Sequence, residues 1–261
     1  MTLARTVARL IACVSLMVVT GCSGSAGPTC GTGSCIRVLF LGNSFTYVND
    51  LPSTFARLAE SAGRPVQAAM VANGGETLAQ HAASSDSLNK IASQGWTYVV
   101  LQDQSETPAT ATGRDDYTYP AASELASRAE AAGAVPLLFM TWAHKDGLPA
   151  SGLPTYEAMQ QRIDAAYRLI SEELDVPVAP VGFTWYMVRQ DHPDIDLWQD
   201  DGSHPSRAGT YLAACVFYAS IFQESPEGLS FHGGISEKQA HDLQAEANDN
   251  VLKQQTQWRL R

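Results

Sequence analysis

Five short apolar runs, at residues 37–41, 65–71, 97–102, 135–141 and 176–181, alternate with longer segments of helical period. No other feature constrains the fold so strongly. The runs are apolar almost without interruption, as expected for parallel strands covered on both faces. The segments between them, 51–62, 78–93, 120–132 and 156–174, are amphipathic and rich in Ala, Leu and Glu, so each can lay one stripe on a sheet. Two more helices are predicted over 207–222 and 237–258. Strand–helix alternation means βαβ units with right-handed crossovers. The expected class is therefore α/β, a three-layer α/β/α sandwich around a central, mainly parallel five-stranded sheet. No internal repeat or second domain is visible.

The residues ahead of the first run follow a different logic. Arg5 and Arg9 precede an apolar run over 10–20 that is short for a bilayer span and ends at small residues, a secretory signal. It closes on Val19-Thr20-Gly21-Cys22, which resembles the lipobox of bacterial lipoproteins, where cleavage precedes a cysteine that carries lipid. The resemblance implies a mature chain that starts at Cys22 and is tethered to the outer face of a membrane; the alternative is ordinary secretion with Cys22 incidental. Residues 1–21 are thus expected to be a signal, 22–35 an anchor and flexible Gly/Ser-rich tether, and 36–261 a single domain large enough for one packed core. No later stretch is long and apolar enough for a membrane helix.

Without the signal the chain loses two arginines and no acid, which leaves 15 basic against 27 acidic residues, a formal charge of −12. Such acidity argues against nucleic acid and anionic polymers as partners. It identifies neither the substrate nor the oligomeric state. Cys30 and Cys35 lie close together before the first strand, and an exported compartment permits a disulfide between them. Cys215, inside "YLAACVFYASIF", is expected to be a buried free thiol. No cysteine or histidine spacing matches a zinc site, the acidic stretch 191–201 lacks the ligand spacing of a calcium loop, and no metal or cofactor is expected.

In sheets of this kind the working groups gather at the carboxyl ends of the strands. After the first run comes Gly42-Asn43-Ser44, after the second "ANGGETL", after the third "QDQSETP" and after the fourth "TWAHKDG"; "DDGSHPS" precedes the helix at 207–222. In the last of these, Asp201 stands three residues before His204 with Gly202 between. One short loop can then supply both a base for a serine hydroxyl and a carboxylate to hold that base. Read alone, "DGSHP" is also an ordinary helix-entry turn.

The combination resembles the SGNH, or GDSL-like, hydrolases: Gly-x-Ser ending the first strand, a Gly-rich turn after the second, an amide side chain after the third and Asp-x-x-His near the end. The resemblance spans the whole mature domain, in order. It implies the flavodoxin-like SGNH fold and ester hydrolysis through an acyl-enzyme, with Ser44 as nucleophile, His204 as general base and Asp201 as its orienting partner. The implied oxyanion hole is the N–H groups of Ser44 and Gly75, with Gly74 as the fallback, and the Gln104 side chain. Two departures stand out: the family's Asp before the serine is Asn43 here, and its third-block asparagine is Gln104, with Gln102 less well placed. A Gly-x-Ser-x-Gly elbow, the mark of the rival α/β-hydrolase fold, is absent from the sequence.

Tyr47, Trp142, His144 and Trp185 follow or flank these segments and are candidates to line the cleft, with packing as the competing role. The expected substrate is a small acyl ester, such as an O-acetyl group on an extracellular or cell-wall glycan; the acetyl and glycan parts come from family habit. Lipid esters, thioesters and acyl transfer are rivals within enzymes. From another class the rival is a glycan-binding lipoprotein without turnover.

Overall fold

The computed structural model describes residues 35–93 and 95–260. The signal sequence, Cys22 and Cys30 lie outside the described residues. Cys35 is disulfide-bonded, and Cys215 is free and buried.

The strands are β1 (Ile36–Gly42), β2 (Val66–Ala72), β3 (Tyr98–Leu101), β4 (Val135–Phe139) and β5 (Val178–Ala179). They form one sheet of order β2-β1-β3-β4-β5, and all four pairings are parallel. The register pairs Gly42 with Ala72, Leu41 with Leu101, Leu101 with Leu138 and Phe139 with Ala179. The carboxyl ends of β1 and β3 therefore finish side by side. Here the strand order reverses direction, which opens a crevice at the sheet's edge.

Among the described residues eleven α-helical segments lie between the strands or after the last of them: α1 (Ser44–Tyr47), α2 (Leu51–Ser61), α3 (Leu78–Ala83), α4 (Ser85–Ala92), α5 (Glu106–Ala109), α6 (Ala111–Gly113), α7 (Tyr119–Ala131), α8 (Tyr156–Leu174), α9 (Val181–Asp191), α10 (Arg207–Phe222) and α11 (Glu237–Val251). Helices α2, α9, α10 and α11 pack together on one side of the sheet, and α3, α4, α7 and α8 on the other. This is the expected three-layer sandwich. Helix α10 is buried along nearly its whole length, from Ala208 to Ile221. That is why its sequence is apolar all round rather than striped. Its Phe217 meets Phe40 and Phe139 edge-on, at centroid distances of 5.2 and 4.9 Å, joining helix and sheet.

Four features differ from the sequence expectation. The segment 78–93 is two helices, because Ser84 takes an extended conformation that ends α3 and caps α4 through its side chain. The run 176–181 pairs only at Val178–Ala179, because Pro177 and Pro180 have no N–H to give to a ladder. Helix α9 begins directly afterwards, where no helix was expected. The last helix stops at Val251, and the chain then turns back so that Trp258 O accepts from Val178 N–H at 3.0 Å and covers the outer edge of the sheet.

Candidate active site

The chain leaves β1 at Gly42 in a turn with little room. A Cβ on Gly42 would stand 2.4 Å from Thr46 Oγ1 and 2.5 Å from Gln102 Oε1, closer than side chains pack. Asn43 caps the following helical turn, its Oδ1 accepting from Phe45 N–H at 3.1 Å, while its Nδ2 donates to Glu76 O at 2.9 Å. The second contact explains the departure from aspartate: an ionised carboxylate has no proton to offer a carbonyl. Ser44 is the first residue of α1, so its N–H has no partner within the helix.

His204 Nε2 lies 2.9 Å from Ser44 Oγ, and His204 Nδ1 lies 2.6 Å from Asp201 Oδ2. The carboxylate can only accept, so Nδ1 carries the ring proton and Nε2 is left to accept from the serine hydroxyl. Asp201 Oδ1 accepts from the N–H groups of Ser203 and His204, both at 2.9 Å. One carboxylate oxygen thus fixes the turn and the other holds the imidazole. Burial works to raise the Asp201 pKa, but its hydrogen bonds to the His204 side chain and to the two N–H groups, with the charge of His204, outweigh it and bring it to about 2. Gly202 adopts φ +68°, the left-handed conformation this tight turn requires.

The loop is held from outside as well. Lys145 N–H donates to Gly202 O at 2.7 Å, and Trp142 Nε1 donates to Ser203 O at 3.0 Å. Trp142 and Trp185 do not line the cleft. Both are fully buried, stacked on each other at 4.2 Å, and the far face of Trp142 stacks on Phe45 at 4.4 Å. Sequence reasoning offered them as cleft-lining candidates with packing as the competing role; packing claims both faces of the Trp142 ring, and its single donor binds the histidine loop. The stack instead connects the Ser44 turn to the His204 turn.

The cleft in front of Ser44 has a volume of about 380 Å³ and is lined by Tyr47, Gly74, Gly75, Gln104, His144 and His204 among others. Tyr47 and His144 thus lie where the sequence reading put them. Gly75 has φ +69°, and among the described residues its N–H carries no hydrogen bond. Gln104 Oε1 accepts from the N–H groups of Glu106 and Thr107, at 2.8 and 3.2 Å, which leaves its –NH2 uncommitted among the described residues. Gln102 faces elsewhere: its Oε1 accepts from Asn43 N–H at 2.8 Å and Thr46 Oγ1 at 2.9 Å, and its Nε2 donates to Asp103 O. Among the described residues no group of His, Cys, Asp and Glu could hold a metal ion. A separate cavity of about 290 Å³ lies at the amino end of the strands, beside Tyr98 and Val135, away from Ser44.

Several residues that build the site were not singled out by sequence reasoning. Buried Asp103 accepts from Leu78 N–H at 2.9 Å, Gln104 N–H at 2.8 Å and the Thr118 hydroxyl at 2.5 Å, joining the loops after β2 and β3. Burial raises its pKa against those hydrogen bonds. Buried His81 has Nε2 2.9 Å from Gly42 O and Nδ1 2.8 Å from Ser87 Oγ, beneath the serine turn. Gln160 Oε1 accepts from Ala143 N–H at 2.7 Å and fixes the start of the His144 segment. The available signal for Asp103 was the string Gln102-Asp103-Gln104, three polar residues directly after a buried strand.

The sheet order and the serine, histidine and carboxylate bonded in series at its switch point define an α/β/α protein with a serine-hydrolase type of centre. No family model matches the chain, nor does any curated protein. Solved structures do. A Slackia heliotrinireducens protein assigned to the SGNH hydrolases is 30% identical, with a TM-score of 0.61 over 72% of this chain and 100% of its own. A DUF4886 family protein from Bacteroides uniformis is 19% identical, with a TM-score of 0.69 over 84% of this chain and 95% of its own. A Geobacillus acetyl-xylooligosaccharide esterase shares the fold at 15% identity, with a TM-score of 0.56 over 71% of this chain and 94% of its own. The chain belongs to the SGNH hydrolases.

Because Gly42 touches both Thr46 and Gln102, Gly42→Ala is expected to displace the serine turn and lower kcat/KM on the order of 10²-fold. Ester hydrolysis by the purified variant, compared with its thermal melt, checks this; full activity would show that the turn tolerates the methyl group.

Proposed function

We propose that the protein is an exported serine esterase that hydrolyses small acyl esters, O-acetyl groups on extracellular or cell-wall carbohydrate in particular, through an acyl-enzyme. The observation that carries the reading is the hydrogen-bonded series Ser44–His204–Asp201 at the mouth of the cleft. In the first step Ser44 Oγ attacks the ester carbonyl carbon while its proton passes to His204 Nε2. The oxyanion forms against the N–H groups of Ser44 and Gly75 and the Gln104 amide. As the intermediate collapses, His204 returns the proton to the alcohol oxygen and the acyl group stays on Ser44. Water then repeats the sequence and releases the acid. Asp201 stays ionised throughout and holds the imidazole in the Nδ1–H tautomer.

The acetyl-glycan part of the reading is supported by the modest size of the cleft and by the fold shared with an acetyl-xylooligosaccharide esterase. Export and anchoring are supported by the signal and the Cys22 motif. Strand β1 runs from Ile36 to Gly42, next to the nucleophile, so the described domain begins at the end of the sheet opposite the cleft.

A fluorophosphonate probe is expected to label the folded protein on Ser44, read by mass mapping of the adduct. Asp201→Asn is expected to lower kcat on the order of 10⁴-fold. Labelling at another residue, or a loss under about tenfold for Asp201→Asn where a triad carboxylate is worth far more, would sink the assignment.

The oxyanion donor is testable at its one side chain. Gln104→Ala is expected to lower kcat by roughly 10² to 10³ with little change in KM, because the contact strengthens only as charge develops. Gln102→Ala, by contrast, removes a clamp and is expected to lower the melting temperature as well. A silent Gln104→Ala would remove it from the hole.

For the anchor, wild type is expected in the membrane or detergent phase, and Cys22→Ala in the soluble fraction or as uncleaved precursor. Mature wild type free in the medium with an unmodified N-terminus would refute it.

A further inference from the structure

Among the polar side chains of the cleft that the acyl-transfer steps leave without a task, three stand together. Ser105, Glu106 and His144 line it together with Ser44 and His204. Ser105 is 1% exposed, and its Oγ lies 3.4 Å from His144 Nε2. His144 Nδ1 lies 3.9 Å from Glu106 Oε1. The Glu106 carboxylate thus faces one ring nitrogen of His144 and the Ser105 hydroxyl the other. Desolvation lowers the His144 pKa against the pull of Glu106, so the ring is neutral at neutral pH. The result is a wall of hydroxyl, neutral imidazole and carboxylate, offering donors and acceptors side by side.

The position of this wall tells which part of an ester it meets. The base returns its proton to the leaving oxygen, so the alcohol part must sit beside His204. The segment carrying His144 is bound to the His204 loop through Lys145 N–H to Gly202 O at 2.7 Å and Trp142 Nε1 to Ser203 O at 3.0 Å. An alkyl or aryl alcohol placed there would strip water from His144 and Glu106 and return no hydrogen bond. A sugar ring carries several hydroxyls, each both donor and acceptor, and can satisfy them together. Sites built to bind a substrate hydroxyl discriminate strongly against analogues that lack it.

We infer that Ser105, His144 and Glu106 form the binding subsite for the alcohol part of the ester and select a polyhydroxylated alcohol, a sugar, over an alkyl or aryl one. The inference rests on the esterase reading and narrows its substrate.

The test compares two acetate esters, an acetylated xylo-oligosaccharide and p-nitrophenyl acetate, which share the acyl group and differ in the alcohol. Wild type, His144→Ala, His144→Gln and Glu106→Gln are assayed against both, with thermal melts to verify folding. His144→Ala is expected to lower the ratio of the sugar-ester kcat/KM to the aryl-ester kcat/KM by about tenfold or more, chiefly through KM. Glu106→Gln should shift the ratio the same way, and His144→Gln, which keeps a hydrogen-bonding group, should recover part of it. An equal loss on both esters in His144→Ala and Glu106→Gln would overturn the inference, since selectivity would be untouched. Wild type that cleaves the aryl ester but not the sugar ester would overturn it too, while leaving the serine esterase standing. Wild type that cleaves neither and takes no fluorophosphonate on Ser44 would remove both readings.

Discussion

The catalytic edge of this protein hangs on two buried polar side chains, Gln102 and Asp103, at the end of β3. Both are fully inaccessible to solvent. The Gln102 carbonyl takes the Asn43 N–H and the Thr46 hydroxyl, which fixes the serine turn to the neighbouring strand. The Asp103 carboxylate takes the N–H groups of Leu78 and Gln104, which fixes the glycine-rich loop and the amide-bearing loop to each other. A donor left without its acceptor in such a place costs about 1–3 kcal/mol. The three loops therefore cannot relax independently, and Ser44, Gly75 and Gln104 keep their spacing although each comes from a different strand end.

The layered fold was legible because its cause is local. Buried parallel strands must be apolar on both faces and the covering helices on one, and the chain writes both patterns repeatedly. What escaped was decided by single residues in context. Ser84 breaks a segment whose periodicity runs on, and it does so through a cap that only the turn geometry reveals. Helix α9 reads Val-Gly-Phe-Thr-Trp-Tyr-Met-Val, a composition that favours strands. It is helical because the prolines at 177 and 180 end the strand and its apolar side chains pack between α8, α10 and α11.

The site divides in the same way. Ser44, Asp201 and His204 stood out because triad chemistry limits which residue types and which strand ends can supply them. Trp142 and Trp185 stayed open between cleft and packing because an aromatic after a strand reads alike whether it faces a cleft or a core. The stack with Phe45 is a contact among three distant segments, invisible to spacing. Asp103, His81 and Ser105 went unnoticed for a related reason. A buried polar residue announces that it has partners, but not which, and the partners here lie up to 39 residues away in the chain.

Asp201 shows how much one exposed carboxylate can be asked to hold when its two oxygens are divided between backbone and imidazole. Its pKa of about 2 lies below the ordinary value for an aspartate near 3.9. The folded state therefore favours its ionised form. The stability it adds is fully present above the ordinary range and is lost only as pH falls through about 2. Above that window the carboxylate is ionised and both of its oxygens are engaged: Oδ1 fixes the turn from 201 to 204 through the N–H groups of Ser203 and His204, and Oδ2 holds the imidazole whose Nε2 faces Ser44.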